Sequence, residues 1–188
     1  SKLAHSTVER IVDCAQSILS MRGFCGTIPT NSFWALAYHE RTLIELCMLR
    51  EALLANCTGP ERVLLRAIIL GALHGPRPKG KPAYFSNQAP RTFAPKPNYA
   101  VKFWTERNLR PSQVDVLAII RARAERYLGE DIPIVHGKVE LADSRSPETF
   151  QNVPKIHLVV TSPPYYGMRT YLPDQWLRHW FLGGPDHV

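Results

Sequence analysis

Apolar positions recur at helical spacing through the first 128 residues, and the pattern changes after Gly129. Leu3, Val8, Ile11, Val12, Ala15, Ile18 and Leu19 form a stripe that predicts a helix over 3–22. The breakers of "RGFCGTIPTNSFW" follow, with Thr30, Asn31 and Ser32 as candidate helix caps. Leu43, Leu46, Cys47, Leu49, Leu53 and Leu54 give one broad apolar side and predict a second helix over 39–56. "CTGPERVLLRAIILGALHG" predicts a third, with Thr58 as candidate cap, Pro60 in the first turn, and Gly75 and Pro76 as its stop. Prolines at 76, 78, 82, 90, 95 and 97 exclude a regular helix or central strand over 76–98. An irregular run of that length tends to be functional or disordered. Helical spacing returns over 99–108 and 111–128.

Beyond Gly129, "GKVELADS" (137–144) and "KIHLVVTS" (155–162) predict two short strands. Ile156, Leu158, Val159 and Val160 are nearly continuous, which suits a strand buried on both faces of a parallel sheet. The expected fold class is α/β: a partial parallel sheet near the C-terminus joined to a large, mostly helical N-terminal region. The expected domains are 1–128, helical with the insertion 76–98, and 129–188, an α/β segment. Asp143 and Ser162 then stand at carboxyl ends of strands, where open α/β sheets place ligand crevices. "PDQWLRHWF" (173–181) restarts a helix.

Composition narrows the class. The chain has 188 residues, 45% apolar and 21% charged, as folded proteins have. No run approaches 18 apolar residues, and "SKLAHSTVERIVDC" lacks the pattern of a signal peptide, so no membrane partner is expected. Four cysteines fit neither a disulfide framework nor a CxxC metal knuckle, which points to a reducing, cytoplasmic setting. No His or Cys pair has zinc-like spacing, so no metal is expected.

The net charge of +7 favours a polyanionic partner, and its distribution says more. Between Gly71 and Pro111 eight basic residues face one acid, Glu106, with six aromatic residues interleaved. Arg77, Lys79, Lys81, Arg91 and Lys96 are candidate DNA contacts that would supply salt-dependent affinity. The other reading is a solvated loop draped over the helices. Tyr99 and Trp104 sit at nearly helical spacing, which predicts a shared core-facing side.

"TSPPYY" (161–166) carries the most specific chemistry. Ser162 offers a hydroxyl that both donates and accepts. Pro163 and Pro164 lack N–H groups and fix an extended backbone, leaving bare carbonyl acceptors. Tyr165 sets a flat aromatic face beside them. Such a rim suits a planar group bearing an amine, for example an amino-bearing nucleobase, where stacking contributes roughly 1–3 kcal/mol.

Ser162-Pro163-Pro164-Tyr165 resembles the catalytic motif of the DNA amino-methyltransferases, (Ser/Asn/Asp)-Pro-Pro-(Tyr/Phe/Trp). Asp143 in "ELADSRS" is similar to the acidic strand end that neighbours the cofactor adenine in that family, and "YYGMRTYLPDQW" to the tail after the motif. The resemblance covers 137–180, and it implies a Rossmann-like methyltransferase sheet with S-adenosylmethionine as cofactor and double-stranded DNA as partner. It further implies that the target base is flipped into the pocket. Ser162 and the Pro163 carbonyl accept hydrogen bonds from its amine, Tyr165 stacks on the base, and the methyl group moves by direct substitution. Arg169 would reach a phosphate or remain a solvated surface residue. Asp143 has a rival reading as a helix cap or turn residue. The target, cytosine N4 or adenine N6, stays open, and so does a homo-oligomer.

The chain departs from that family in one respect. The glycine-rich cofactor loop, Phe-x-Gly-x-Gly after a first strand, has no counterpart; "GFCG" follows a predicted helix and "GALHG" closes one. The opening "SKLAH" resembles what family members carry just beyond the second sheet strand. The chain is thus expected to begin after the first two strands, with the missing half a separate subunit, a removed N-terminal region or lost altogether; a complementary subunit or segment would supply the cofactor side. Alone it should bind the cofactor poorly and not turn over. The alternatives are a non-catalytic nucleic-acid-binding or assembly module derived from a methylase of the restriction-modification type, and a helical protein-interaction domain.

Overall fold

The computed structural model describes residues 2–23, 26–76, 80, 83–86, 97–129, 137–162 and 171–187, the side chains of 2–4 and 171–174 excepted. Its helices are α1 (Lys2–Leu19), α2 (Ser32–Ala37), α3 (Glu40–Ala55), α4 (Pro60–Ala72), α5 (Pro97–Glu106), α6 (Val116–Leu128) and α7 (Tyr171–Phe181), with a 3-10 turn at Pro147–Phe150. The chain divides into two units, Ser1–Asp131 with Thr170–Val188, and Ile132–Arg169.

Local chemistry sets the helix ends. The Asn31 side chain accepts from the Phe33 amide at 3.0 Å and starts α2. Asp115 does the same for α6, accepting from the Ala118 amide at 2.9 Å, so that helix begins at Val116 and not at Pro111. Thr58 is not the cap of α4. Its hydroxyl donates to Asn56 Oδ1 at 2.7 Å, while Gly59, at φ +85°, makes the turn into Pro60. Only glycine adopts that backbone cheaply.

The α1 stripe is buried as its spacing predicts: Val8, Ile11, Val12, Ala15 and Ile18 pack α1 against α6, α4 and α3. Each such side chain contributes about 1.5–3 kcal/mol when fully buried. Arg121 on α6 also pairs with Glu9 on α1, and its hydrogen bond holds the Glu9 carboxyl below its ordinary value. On α3 the expected apolar side is buried except at Leu54, which is exposed.

Aromatic packing joins the ends of the first unit. Trp34 lies 4.4 Å from Trp180, and Phe33 lies 4.9 Å from Trp176 and 5.5 Å from Trp104 (ring centroids). Trp34 Nε1 donates to the Asp186 carbonyl at 3.0 Å, and Arg50 Nε to the Trp180 carbonyl at 2.8 Å. The helix after the Pro-Pro motif is therefore part of the helical core. Trp176, Leu177, Trp180 and Phe181 are all buried. Cys47 is buried too, and burial pushes its thiol up to about 12, so it stays protonated and inert. Among the described residues no helix is long and apolar enough to cross a membrane.

The expected parallel sheet is absent. Residues 137–144 and 155–162 carry no strand pairing, and the described residues form no sheet, so the α/β class with a Rossmann-like methyltransferase sheet is overturned. Burial shows why. Val139 and Leu141 are 100% and 106% exposed and Val160 is 87% exposed. A two-stranded ribbon alone is marginal in water. An apolar run signals a buried strand only where neighbouring strands and covering helices exist.

Candidate functional site

The predicted site residues fall into three groups. Ser162 ends the described part of the second unit, with its side chain exposed. Its hydroxyl is thus accessible to a ligand. Pro163, Pro164, Tyr165 and Arg169 lie outside the described residues.

Asp143 organises a local turn. Its carboxylate accepts from the Arg145 amide at 2.9 Å and from Arg145 Nε and Nη2 at 3.0 and 2.7 Å. Its own carbonyl accepts from the Thr149 hydroxyl at 2.7 Å and from the Ser146 amide at 3.1 Å. The Arg145 guanidinium, followed by the backbone bond, holds the Asp143 carboxyl below its ordinary value, so it is ionised near neutrality. Ser146 bonds Glu148 within the same turn and lowers that carboxyl likewise. An adenosine seeking Asp143 would compete with a bidentate Arg145 on an exposed surface.

Arg77, Lys79, Lys81, Arg91 and Lys96 lie outside the described residues, but the points that bracket the first three are fixed. The Gly75 amide donates to the Ser86 carbonyl at 3.0 Å, and the Phe85 amide to the Ala72 carbonyl at 2.9 Å. Arg123 on α6 donates to the Ala83 carbonyl through Nε and Nη2, at 3.0 and 2.9 Å, and covers the Tyr84 ring at 4.3 Å. Phe85 is buried. Tyr84 lies so close to Gly75 that an added Cβ would meet its ring at 2.2 Å, so only glycine fits there. The chain is thus held at the end of α4 and again at 83–86. The signal for this anchor is Tyr84-Phe85, two aromatics inside a proline-rich stretch.

Beside this anchor His74 is 7% exposed. Burial, and next the nearby Arg178 charge, lower it from 6.5 to about 4. It is a neutral core residue at pH 7. Elsewhere a polar groove of about 560 Å³ opens between α1, α3 and the start of α6, lined by Gln16, Ser20, Arg41, Glu45, Gln113 and Asp115 among others. None of the predicted site residues lines it.

No protein-family model matches the chain, and no curated protein or solved structure matches it either.

Proposed function

We propose that the chain is the target-base part of a DNA amino-methyltransferase that uses S-adenosylmethionine and depends on a complementary part for the cofactor. One observation carries the reading: the sequence Ser162-Pro163-Pro164-Tyr165, with the acidic Asp143 upstream. In this reading Ser162 and the Pro163 carbonyl turn an exocyclic amine of cytosine or adenine toward the methyl sulfonium, and Tyr165 stacks on the base. Positioning is the main catalytic device, because the substitution itself needs no covalent enzyme intermediate. The accessible hydroxyl of Ser162 and the uncovered apolar side chains of 139–160 support it. A complementary part would cover those side chains.

Labelled methyl transfer to duplex DNA tests the proposal. The complementary part is a polypeptide carrying the glycine-rich loop, and the adjoining coding sequence is the first place to look for it. The chain alone should transfer nothing measurable; with that part added, transfer should appear. Ser162→Ala and Tyr165→Ala should each suppress it, by about 10²-fold or more if positioning is lost. Equal transfer by wild type and both variants would sink the assignment.

The second reading, a non-catalytic nucleic-acid-binding module, is favoured by the missing glycine motif and the basic segment. It predicts DNA binding without transfer under any combination.

A further inference from the structure

The sequence predicts Tyr99 and Trp104 on one buried side, and the structure separates them. Ala100 and Trp104 hold α5 to the core at 1% and 2% exposure, while Tyr99 is 55% exposed. Tyr99 instead aligns with Phe103 and Arg107, each four residues further and therefore one above the other along the helix. The Tyr99 and Phe103 rings stack with centroids 6.3 Å apart and planes at 30°. The Arg107 guanidinium covers the Phe103 ring at 4.0 Å and donates to the Phe103 carbonyl at 3.5 Å. Lys102 and Arg107 both approach Glu106, at 3.8 and 3.7 Å, with all three side chains at least half exposed. Exposed pairs of this kind contribute little and exchange readily for other anions. Arg110 follows, also exposed.

We propose that this face of α5 is a binding surface for single-stranded DNA, with Tyr99 as the platform for an unstacked base and Lys102, Arg107 and Arg110 as phosphate contacts. Aromatic rings next to cations are what sequence-tolerant single-strand binding requires, because every base has a face to stack and every nucleotide a phosphate. A duplex offers no free base face to an exposed ring. The excess of eight basic residues over one acid between Gly71 and Pro111 selects a polyanion over an apolar peptide. The inference uses α5 alone and does not need methyl transfer.

Fluorescence anisotropy of the whole chain with a labelled oligothymidylate of about 15 nucleotides, near the upper site size of such binders, provides the test, with no cofactor present. Tyr99→Leu should weaken binding about tenfold, and Tyr99→Phe, which keeps the ring, should not. Arg107→Gln should weaken binding and flatten its dependence on salt. The same-length duplex should bind less tightly. Because Tyr99 is exposed, the Leu variant should melt like wild type, so a loss of binding is not a loss of fold. Absence of binding by the wild-type chain, a Tyr99→Leu variant that binds as well as wild type, or a duplex bound more tightly than the single strand would each overturn the proposal. Failure of methyl transfer with these results intact would leave the surface standing and remove only the catalytic reading.

Discussion

Leu65 on α4 and Leu141 in the second unit are the same side chain in opposite circumstances. Leu65 is fully buried, and Leu141 is as exposed as an isolated residue. The helical unit covers its apolar residues from several directions, through α1, α4 and α6 on one side and the Trp34–Trp180 cluster on another. Among the described residues, the segment 137–162 is held by turns within a few residues, such as the one centred on Asp143. One region buries a large apolar core. In the other, the apolar side chains of Val139, Leu141, Leu158, Val159 and Val160 are exposed.

Truncation of the helical core should have the largest effect. Trp34→Ala should cost about 3–5 kcal/mol in chemical denaturation, because a large ring leaves a cavity among Phe33, Trp176 and Trp180. A loss under about 1 kcal/mol would mean that α7 does not share this core.

Next comes pH. His74 is neutral when folded, with its value lowered to about 4, whereas the unfolded side chain titrates near 6.5. The unfolded state therefore binds the extra proton between those values, and stability present above pH 6.5 declines as pH falls toward 4. The loss is on the order of 3 kcal/mol at most. His74→Gln should flatten that slope, and an unchanged slope would show that His74 is not its source.

A smaller effect is expected at the anchor. Arg123→Met keeps the aliphatic stem but removes the bonds to the Ala83 carbonyl and the charge over Tyr84. It should cost about 1 kcal/mol and speed proteolysis within 76–86. Smallest of all, Leu141→Ala should change global stability by less than about 0.5 kcal/mol. A core-sized loss there would place Leu141 in a buried environment and end the contrast between the regions.

The helical half was legible because helical spacing is a local signal. The stripe of α1 and the breakers around Pro60 need no knowledge of distant residues. Cap identity was less so: Thr58 and Gly59 are neighbours, and only the positive φ at Gly59 decides between them. The sheet was misjudged for a different reason. The run Ile156–Val160 has strand composition, but a strand exists by pairing, and pairing is a property of what surrounds the run. The aromatic residues of α5 show the same limit on a finer scale. Their spacing of five residues predicts one core-facing side for Tyr99 and Trp104, but five residues is not a whole number of helical turns, and with Ala100 and Trp104 against the core Tyr99 faces outward. Of the candidate site, the motif was legible as chemistry in the letters themselves. The engagement of Asp143 by Arg145 was not, since opposite charges two residues apart rarely announce a bidentate pair.

Hydrogen exchange across residues 137–162, in the chain alone and with the proposed complementary part, decides whether this stretch is ordered by a second polypeptide. Exchange should be fast throughout this stretch in the isolated chain, while amides of α1, α3, α4 and α6 are protected. Strong protection of 137–162 should appear when the complementary part is added. Protection of 137–162 equal to that of the helices in the chain alone, or none gained in its presence, would contradict the proposal.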